Sequence, residues 1–322
     1  MQQSAKLEQN SIVKERSNRT GFKEVKRCIK ENYWLYLLVL PSVALTIIFK
    51  YFPMYGVLIA FKDYSYRKGI LGSEWIGFHH FERFLNAPNF EQLLFNTLKL
   101  NMFGLLLGFP VPIILALMLN QIRKAAVKKN IQLFLYAPNF ISVVVVVGIL
   151  FVLLSPTGPV NYLVTAMNGT PISFMSEPDY FRPIYILSGI WQGAGWASII
   201  YVAALANVDP ELHNAATIDG ASLLQRIRHI DLPTIKPVVA IMVILAAGGI
   251  MAGGGDKAIL MWNEMNMESA DIISTYVYRV GFQQANYSFS AAVDLFNTII
   301  NLIMLFTVNF IVKRVNEGNG IV

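Results

Sequence analysis

The chain has 322 residues, of which 55% are apolar and only 14% are charged, and its formal net charge is +6. A chain this apolar is not intrinsically disordered, because disorder requires low hydrophobicity. Its single cysteine, Cys28, excludes a secreted fold held together by disulfides. Average soluble domains carry about 25% charged residues, so the composition also argues against an ordinary soluble enzyme.

Six apolar segments are long enough to cross a bilayer as helices, since about 20 apolar residues span ~30 Å of hydrocarbon. In chain order they cover residues 33–61, 98–119, 131–155, 184–206, 238–253 and 289–312. The first segment is too long for a cleaved signal peptide and follows a basic stretch. The segments lack the period-two alternation of barrel strands. The sequence therefore predicts an all-α integral membrane protein with six transmembrane helices.

Lysine and arginine residues are distributed unequally between the two sides of these segments. Of the 26 in the chain, 17 lie on the side that holds both termini, and 7 lie on the opposite side. Because cytoplasmic loops are enriched in Lys and Arg, both termini are predicted to be cytoplasmic. The basic stretch at residues 1–32 is interpreted as a segment held at an anionic leaflet, not as a nucleic-acid site.

Motifs of catalysis and metal binding are missing from the sequence. The histidines lack metal-ligand spacing, and one cysteine cannot build a zinc site. There is no Gly-x-Ser-x-Gly elbow and no Gly-Lys dipeptide. Residues 253–257 (Gly-Gly-Gly-Asp-Lys) lack phosphate-loop spacing and predict a flexible helix end. The protein is therefore predicted to move a solute or to couple to a partner that hydrolyses fuel.

One long polar stretch lies on the predicted cytoplasmic side, at residues 207–237, and is named here the inner loop. Asp209 is a good N-cap and Pro210 suits a first helical position. Gly220 interrupts the apolar pattern, which predicts two short helices meeting at a turn. Pro233 and Pro237 are expected to end the second helix before the fifth span. From these residues alone, the loop is either a linker lying on the membrane or a platform for another protein.

Part of the inner loop resembles a known family. Asn214-Ala215-Ala216, Asp219-Gly220-Ala221 and the stretch ending in Leu232-Pro233 are similar to the Glu-Ala-Ala coupling loop. That loop belongs to permease subunits of type I binding-protein-dependent ABC importers. Asn214 stands where the family has Glu, so the charge of a charge-assisted contact to the ATPase is lost at that position.

A second resemblance points to one branch of that family. Residues 51–56, 60–64, 72–77 and 273–281 are similar to carbohydrate permeases that import polysaccharides and oligosaccharides, of the type called the first permease. The resemblance extends from about residue 35 to residue 315 and leaves out residues 1–32.

The resemblance implies a complex in which this subunit is not catalytic. It implies a type I importer permease fold, a second related permease, two ATP-binding subunits that hold ATP and magnesium, and an extracellular sugar-binding lipoprotein. The implied substrate is an oligosaccharide, and the implied location is the bacterial cytoplasmic membrane. No cofactor, metal or nucleic acid is expected on this chain. The expected ATPase-coupling residues are Asn214, Ala215, Ala216, Asp219, Gly220, Ala221, Leu232 and Pro233.

Polar and aromatic residues inside the spans are candidates for the substrate pathway, because polar groups in a bilayer are costly. Hydroxyl groups of a sugar could bond to the polar members, and a tryptophan could stack on a sugar face; interhelical hydrogen bonding is the alternative interpretation. The candidates are Asn101, Asn139, Trp191, Gln192, Trp196, Tyr201, Asn297 and Asn301. Asp294, the one acid in a span, is expected either in the cavity or at the interface.

The predicted organisation has five parts. These are a cytoplasmic basic segment at 1–32, a first transmembrane helix at 33–62, an extracellular loop at 63–92, a five-helix core at 93–315 containing the inner loop, and a cytoplasmic tail at 316–322. Two alternatives stay open, an importer permease for another solute class and an ion-coupled secondary transporter. The second would need internal repeats and paired ionisable groups in the membrane.

Overall fold

The computed structural model describes residues 30–250 and 254–315. Nearly all of the predicted basic segment 1–32 and all of the predicted tail 316–322 therefore lie outside the described residues. The described chain is almost entirely helical, and it divides into two compact units between Leu58 and Ile59.

The described part of the first unit is one long helix, α1, which runs over Tyr33–Phe61 and ends just inside the second unit. Pro41 lies inside it, and a wider π-helical turn follows at Ile47–Tyr51. From Tyr33 to Tyr55 nearly all of its apolar side chains are exposed, which is the surface that lipid requires. The first predicted span is confirmed.

Four more helices are long and apolar enough to cross a membrane. They are α4 (Phe90–Asn120), α8 (Pro178–Leu205), α10 (Leu223–Ala247) and α14 (Tyr287–Val315). The second, fourth and sixth predicted spans are thereby confirmed, while the fifth begins about fifteen residues earlier than its apolar run. Among the described residues, five helices satisfy this test, and six spans result if a bent pair counts as one.

That bent pair is the third predicted span, residues 131–155. It is not one straight helix: α5 (Ala125–Phe140) and α6 (Val143–Leu153) meet at 96°. Ile141 is extended, and the Ser142 side chain accepts the backbone N–H of Val145 as an N-cap. An N-cap starts a new helix, so the apolar run is broken at these two residues.

Short elements form the connections on the predicted outer side. They are β1 (Lys62–Asp63), α2 (Gly69–Gly72), β2 (Glu74–Trp75), α3 (His79–Leu85), α7 (Pro159–Ala166), α11 (Gly255–Met261), α12 (Met267–Ala270) and α13 (Ile273–Tyr278). The inner loop contains α9 (Pro210–Ile218). The strands pair antiparallel with Lys62 opposite Trp75, and the Lys62 amine donates to the carbonyls of Ile70 and Leu71.

Helix α8 lies at the centre of the second unit and packs along the second half of α4. Its small residues permit close helix contacts: a Cβ on Gly195 would fall 2.6 Å from the carbonyl carbon of Leu135 in α5. Near the inner loop, one buried apolar cluster contains Ala116 of α4, Leu205 of α8 and Ile235 of α10; the ends of the spans nearest the inner loop are named here the inner ends. The three spans are therefore tied together next to the inner loop.

Candidate functional site

The inner loop begins as its sequence predicts. The Asp209 carboxylate accepts the backbone N–H of Glu211 at 2.9 Å, and Pro210 is the first residue of α9. A carboxylate at this position satisfies a backbone donor that the helix leaves free, and it also favours the positive end of the helix dipole. The start of α9 is therefore defined by local chemistry.

Helix α9 ends in a turn that explains the Asp-Gly-Ala sequence. Gly220 has φ +76°, the left-handed conformation that glycine adopts without steric cost. The N–H of Ala221 donates to the carbonyl of Ala216 at 2.9 Å, and the N–H of Gly220 donates to that of Thr217 at 3.1 Å. This pair of bonds is the Schellman motif. Two helices meeting at Gly220 are confirmed.

The second helix of the loop does not end at its prolines. Ser222 and Gln225 form a capping box that starts α10 at Leu223, and the helix continues through Pro233 and Pro237 to Ala247. The expected break before the fifth span is therefore wrong. A π-helical turn at Ile227–Asp231 precedes Pro233, and the Thr234 hydroxyl donates to the Ile230 carbonyl. Local π-helical turns and Ser or Thr hydroxyl bonds of this kind allow membrane helices to accommodate proline.

The residues expected to contact an ATPase form a largely exposed surface. The exposed members are Asn214, Ala215, Asp219, Gly220, Leu232 and Pro233, and the half-buried members are Ala216 and Ala221. Buried contacts to the spans come instead from two residues that sequence reasoning did not single out, Asp231 and Ile235. The exposed surface is available for a partner protein.

Asp231 is a fully buried carboxylate at the junction of the inner loop and the fifth span. Gln121 Nε2 donates to its Oδ2 at 3.2 Å, and His213 Nε2 lies 3.2 Å from its Oδ1, at ion-pair distance but without good hydrogen-bond alignment. An acidic residue in an otherwise apolar Ile-Asp-Leu-Pro stretch was the available sequence signal. A burial pattern alone does not reveal which partners such an acid has.

A polar cavity of about 630 Å³ opens beside this carboxylate. It is lined by His213 and Asn214 of α9, by Gln121 and Arg123 at the end of α4, and by Arg226 of α10. Arg226 Nη1 donates to the Thr217 hydroxyl at 2.9 Å, which connects the two loop helices. The inner loop therefore encloses polar space against the inner ends of the spans.

A second cavity, of about 820 Å³, lies among α6, α8, α11, α13 and α14 and is named here the central cavity. Three of the eight predicted pathway residues line it, namely Gln192, Asn297 and Asn301. Gln192 donates to the Ile141 carbonyl at 2.8 Å, and Asn301 donates to that of Gly248 at 2.6 Å. Gln192 and Asn301 therefore combine a hydrogen bond to a neighbouring backbone segment with a position on the cavity wall.

The other five pathway candidates do not line this cavity. Asn101 bonds within its own helix, Trp196 packs edge-on against Phe140, and Tyr201 is buried in the apolar cluster at the inner ends of the spans. Trp191 lines a separate apolar pocket, and Asn139 lies at the end of α5. The polar candidates on α14 therefore line the cavity as predicted, whereas those on α4 and α5 do not.

Sequence reasoning did not identify most of the charged residues that border the central cavity. Asp256, Lys257 and Asp294 line it. The buried Lys257 amine donates to the Tyr185 carbonyl at 2.8 Å and to the Ser188 hydroxyl at 2.7 Å, and burial lowers the pKa of Lys257 to about 8. Residues 253–257 were expected to form a flexible helix end. From Gly254 onward they instead form the packed start of α11.

An ion pair between Arg279 and Asp271 flanks α13, whose Ser274 and Val277 line the central cavity. Arg279 donates to both oxygens of Asp271, at 2.7 and 3.0 Å, and its guanidinium lies 4.6 Å from the Trp262 ring centre. The Thr275 hydroxyl also donates to Asp271. Bidentate pairs of this kind fix geometry as well as energy. Among the described residues, no cluster of His, Cys, Asp and Glu could hold a metal.

Comparisons with known proteins agree with this architecture. Residues 108–317 match the family model described as "Binding-protein-dependent transport system inner membrane component". Protein LplB of Bacillus subtilis (strain 168) is 45% identical over 90% of this chain and 91% of its own length. The polygalacturonan/rhamnogalacturonan transport system permease protein YteP of the same organism is 44% identical over 92% and 94%.

A solved structure supports the fold. A chain of a bacterial ABC transporter involved in the import of the acidic polysaccharide alginate superposes with a TM-score of 0.83. It is 38% identical in sequence, and the match covers 90% of this chain and 99% of that one. The alginate transporter has also been solved in complex with a periplasmic protein bound to an alginate pentasaccharide.

Proposed function

The chain belongs to the family of binding-protein-dependent transport system inner membrane components, and from this premise we propose that it is the permease subunit that couples ATP hydrolysis by partner subunits to oligosaccharide import. Membership in a permease family with several apolar helices makes it a multi-pass membrane protein. It also removes the ion-coupled secondary transporter as an alternative. The permease does not itself carry out the chemical step of hydrolysis.

The inner loop is the observation that carries the proposal. Helix α9 is capped at Asp209, closed at Gly220, and presents Asn214, Ala215 and Asp219 to solvent. A short, exposed helix with small residues lets another protein approach closely. In the proposed mechanism, ATP closes a pair of ATPase subunits, the loop follows that motion, and the spans open the cavity outward. This is a two-state rigid-body change biased by a ligand.

The proposed substrate class is supported by the relatives and by the wall of the central cavity. YteP is named for polygalacturonan and rhamnogalacturonan, and the structural neighbour imports alginate. The cavity wall carries amide, carboxylate and hydroxyl groups from Gln192, Asp294, Asn297 and Thr298. Such groups suit the hydroxyls of a sugar, and carboxylates accept strong hydrogen bonds from them.

The proposed complex has further members. A second related permease would complete the translocation path, two ATP-binding subunits would hold ATP and magnesium, and an extracellular sugar-binding lipoprotein would deliver the oligosaccharide. The proposed location is the bacterial cytoplasmic membrane with both termini inside. Asn214 stands where the family has Glu, so the contact to the ATPase would lack a carboxylate at this position. That contact would rest on neutral hydrogen bonds and on packing.

Co-purification and uptake test this function. The chain would be expressed with a second permease and an ATPase, reconstituted in vesicles, and supplied with a binding protein loaded in turn with oligosaccharides, amino acids or peptides. We expect the ATPase to co-purify and ATP-dependent uptake to occur with oligosaccharides. Uptake that continues without an ATPase, or that selects peptides, would contradict the proposal.

A pair of asparagine variants tests the pathway. Asn297→Ala changes the wall of the central cavity, whereas Asn101→Ala changes a side chain that bonds inside its own helix. We expect Asn297→Ala to lower uptake about tenfold, a typical loss for one or two hydrogen bonds at about 1 kcal/mol each, and Asn101→Ala to have little effect. Basal ATP hydrolysis of the complex should stay equal in both. Equal uptake by the two variants would place the pathway elsewhere.

A further inference from the structure

Helix α9 has few attachments to the membrane helices. All of its residues are described, and none of them is buried. At one end the chain turns at the Asp209 cap, and at the other it turns at Gly220 in the left-handed conformation. The chain therefore turns at both ends of α9, and side-chain contacts are needed to connect the body of the helix to its neighbours.

Two side-chain contacts connect α9 to α10, one from the middle of α9 at His213 and one from its last turn at Thr217. Thr217 accepts a hydrogen bond from Arg226, which belongs to the first turn of α10 and is still within the inner loop. His213 contacts Asp231, which lies at the entrance to the spanning part of α10. Both contacts reach α10, and the His213 contact also reaches the end of α4, because Asp231 accepts a hydrogen bond from Gln121.

The burial of Asp231 gives this contact its strength. Its carboxylate is fully buried, whereas the His213 ring is 25% exposed. A buried carboxylate is costly unless partners compensate its charge. Gln121 donates a hydrogen bond to one oxygen, and His213 Nε2 lies 3.2 Å from the other, at ion-pair distance. Arg123 and Arg226 border the adjoining cavity. Asp231 therefore holds His213 in place.

The contact joins three separate elements. Gln121 caps the end of α4, His213 belongs to α9, and Asp231 belongs to the π-helical turn of α10. The inner ends of α4 and α10 also share the apolar cluster that contains Ala116 and Ile235. A displacement of α9 would therefore reach both spans at once. Asn214, Ala215 and Ala216, which are proposed to touch the ATPase, directly follow His213.

We propose that Gln121, His213 and Asp231 form a clamp that transmits the motion of α9 to α4 and α10. The inference rests on the proposed function and deepens it, because it names the residues through which the coupling contact acts on the spans. The three are positioning residues: they touch neither the solute nor the ATPase, and they act by keeping α9 rigid against the membrane helices.

Coupling efficiency in the complete complex tests the clamp. The variants are His213→Ala, Asp231→Asn and the exchange His213→Asp with Asp231→His. His229→Ala is the matched control, because His229 lies in the same loop but bonds within its own helix, to the Gln225 carbonyl. We expect both single variants to assemble and hydrolyse ATP while solute moved per ATP falls about tenfold. The exchange should restore part of the loss, and the control should match the wild type.

A spectroscopic measurement separates this inference from the proposed function. A spin label at Ile218, which is 86% exposed, reports the mobility of α9 in a background where Cys28 is replaced by serine. We expect His213→Ala to make the label more mobile. This readout needs no ATPase, so it tests the clamp even if the chain binds no ATPase. If Asp231→Asn does not accumulate, His213→Ala decides the test. Unchanged mobility and unchanged solute per ATP in His213→Ala would overturn the clamp.

Discussion

A Gly220→Pro variant should insert into the membrane and accumulate normally while uptake by the complex falls more than about tenfold. Gly220 has φ +76°, and proline is restricted to φ near −65°. Proline also lacks the N–H that Gly220 donates to the Thr217 carbonyl. The turn that closes α9 therefore cannot form. Because the turn lies in the polar inner loop, the spans should fold as before.

Graded substitutions at Gly220 separate loss of the turn from general damage. Asparagine visits the left-handed region readily, so Gly220→Asn should keep most of the uptake. Alanine pays roughly 1–2 kcal/mol there, so Gly220→Ala should fall between the two. Membrane yield, co-purified ATPase and ATP-driven uptake would be measured for each variant. Normal uptake by Gly220→Pro would remove this turn from the coupling mechanism.

Helix ends and long apolar runs are the features of this fold that local sequence determines. Asp209 and Gly220 each act through backbone groups within a few residues, so the bounds of α9 follow from local chemistry. Apolar length alone predicts α1, α4, α8 and α14, since each must cover the same thickness of hydrocarbon. The predicted ends of the spans differ from the ends of the helices in the structure by several residues, because polar residues extend some helices beyond the bilayer.

Features that depend on distant contacts were not predictable in this way. The 96° bend between α5 and α6 is set by Ser142, whose capping role is invisible inside a long apolar run. Continuation of α10 through Pro233 depends on a π-helical turn. Asp231 and Lys257 acquire their roles from Gln121, more than 100 positions away, and from Tyr185 in α8. The spacing of residues in the sequence does not indicate such distant partners.

The candidate site was accordingly predictable in part. Its inner-loop half is a contiguous motif, so the sequence locates these residues in the chain, and their contact with an ATPase stays a prediction. The central cavity is assembled from five helices, and a polar residue in a span faces a cavity only if the helix is rotated that way. Asn297 and Asn301 satisfy that condition, whereas Asn101 bonds to its own helix. Rotation of a helix with apolar residues on all faces cannot be deduced from its own sequence.

A Gly195→Ala variant should lower the stability of the folded protein more than the size of one methyl group suggests. The added Cβ would lie 2.6 Å from the carbonyl carbon of Leu135 and 3.2 Å from its Cβ. Backbone atoms of α5 cannot move aside as a flexible side chain can. Helices α5 and α8 must therefore separate, and overpacking of this kind costs about 1–3 kcal/mol or more.

Gly193→Ala is the matched control, because it adds the same methyl group two residues earlier on the same helix. A Cβ at Gly193 meets no atom within 4 Å. Alanine favours a helix over glycine by about 1 kcal/mol, so this variant should be neutral or slightly more stable. Thermal unfolding of both variants in detergent would measure the difference. Equal unfolding temperatures would mean that α5 and α8 are not in the close contact described, whereas a loss confined to Gly195→Ala follows directly from backbone packed on backbone.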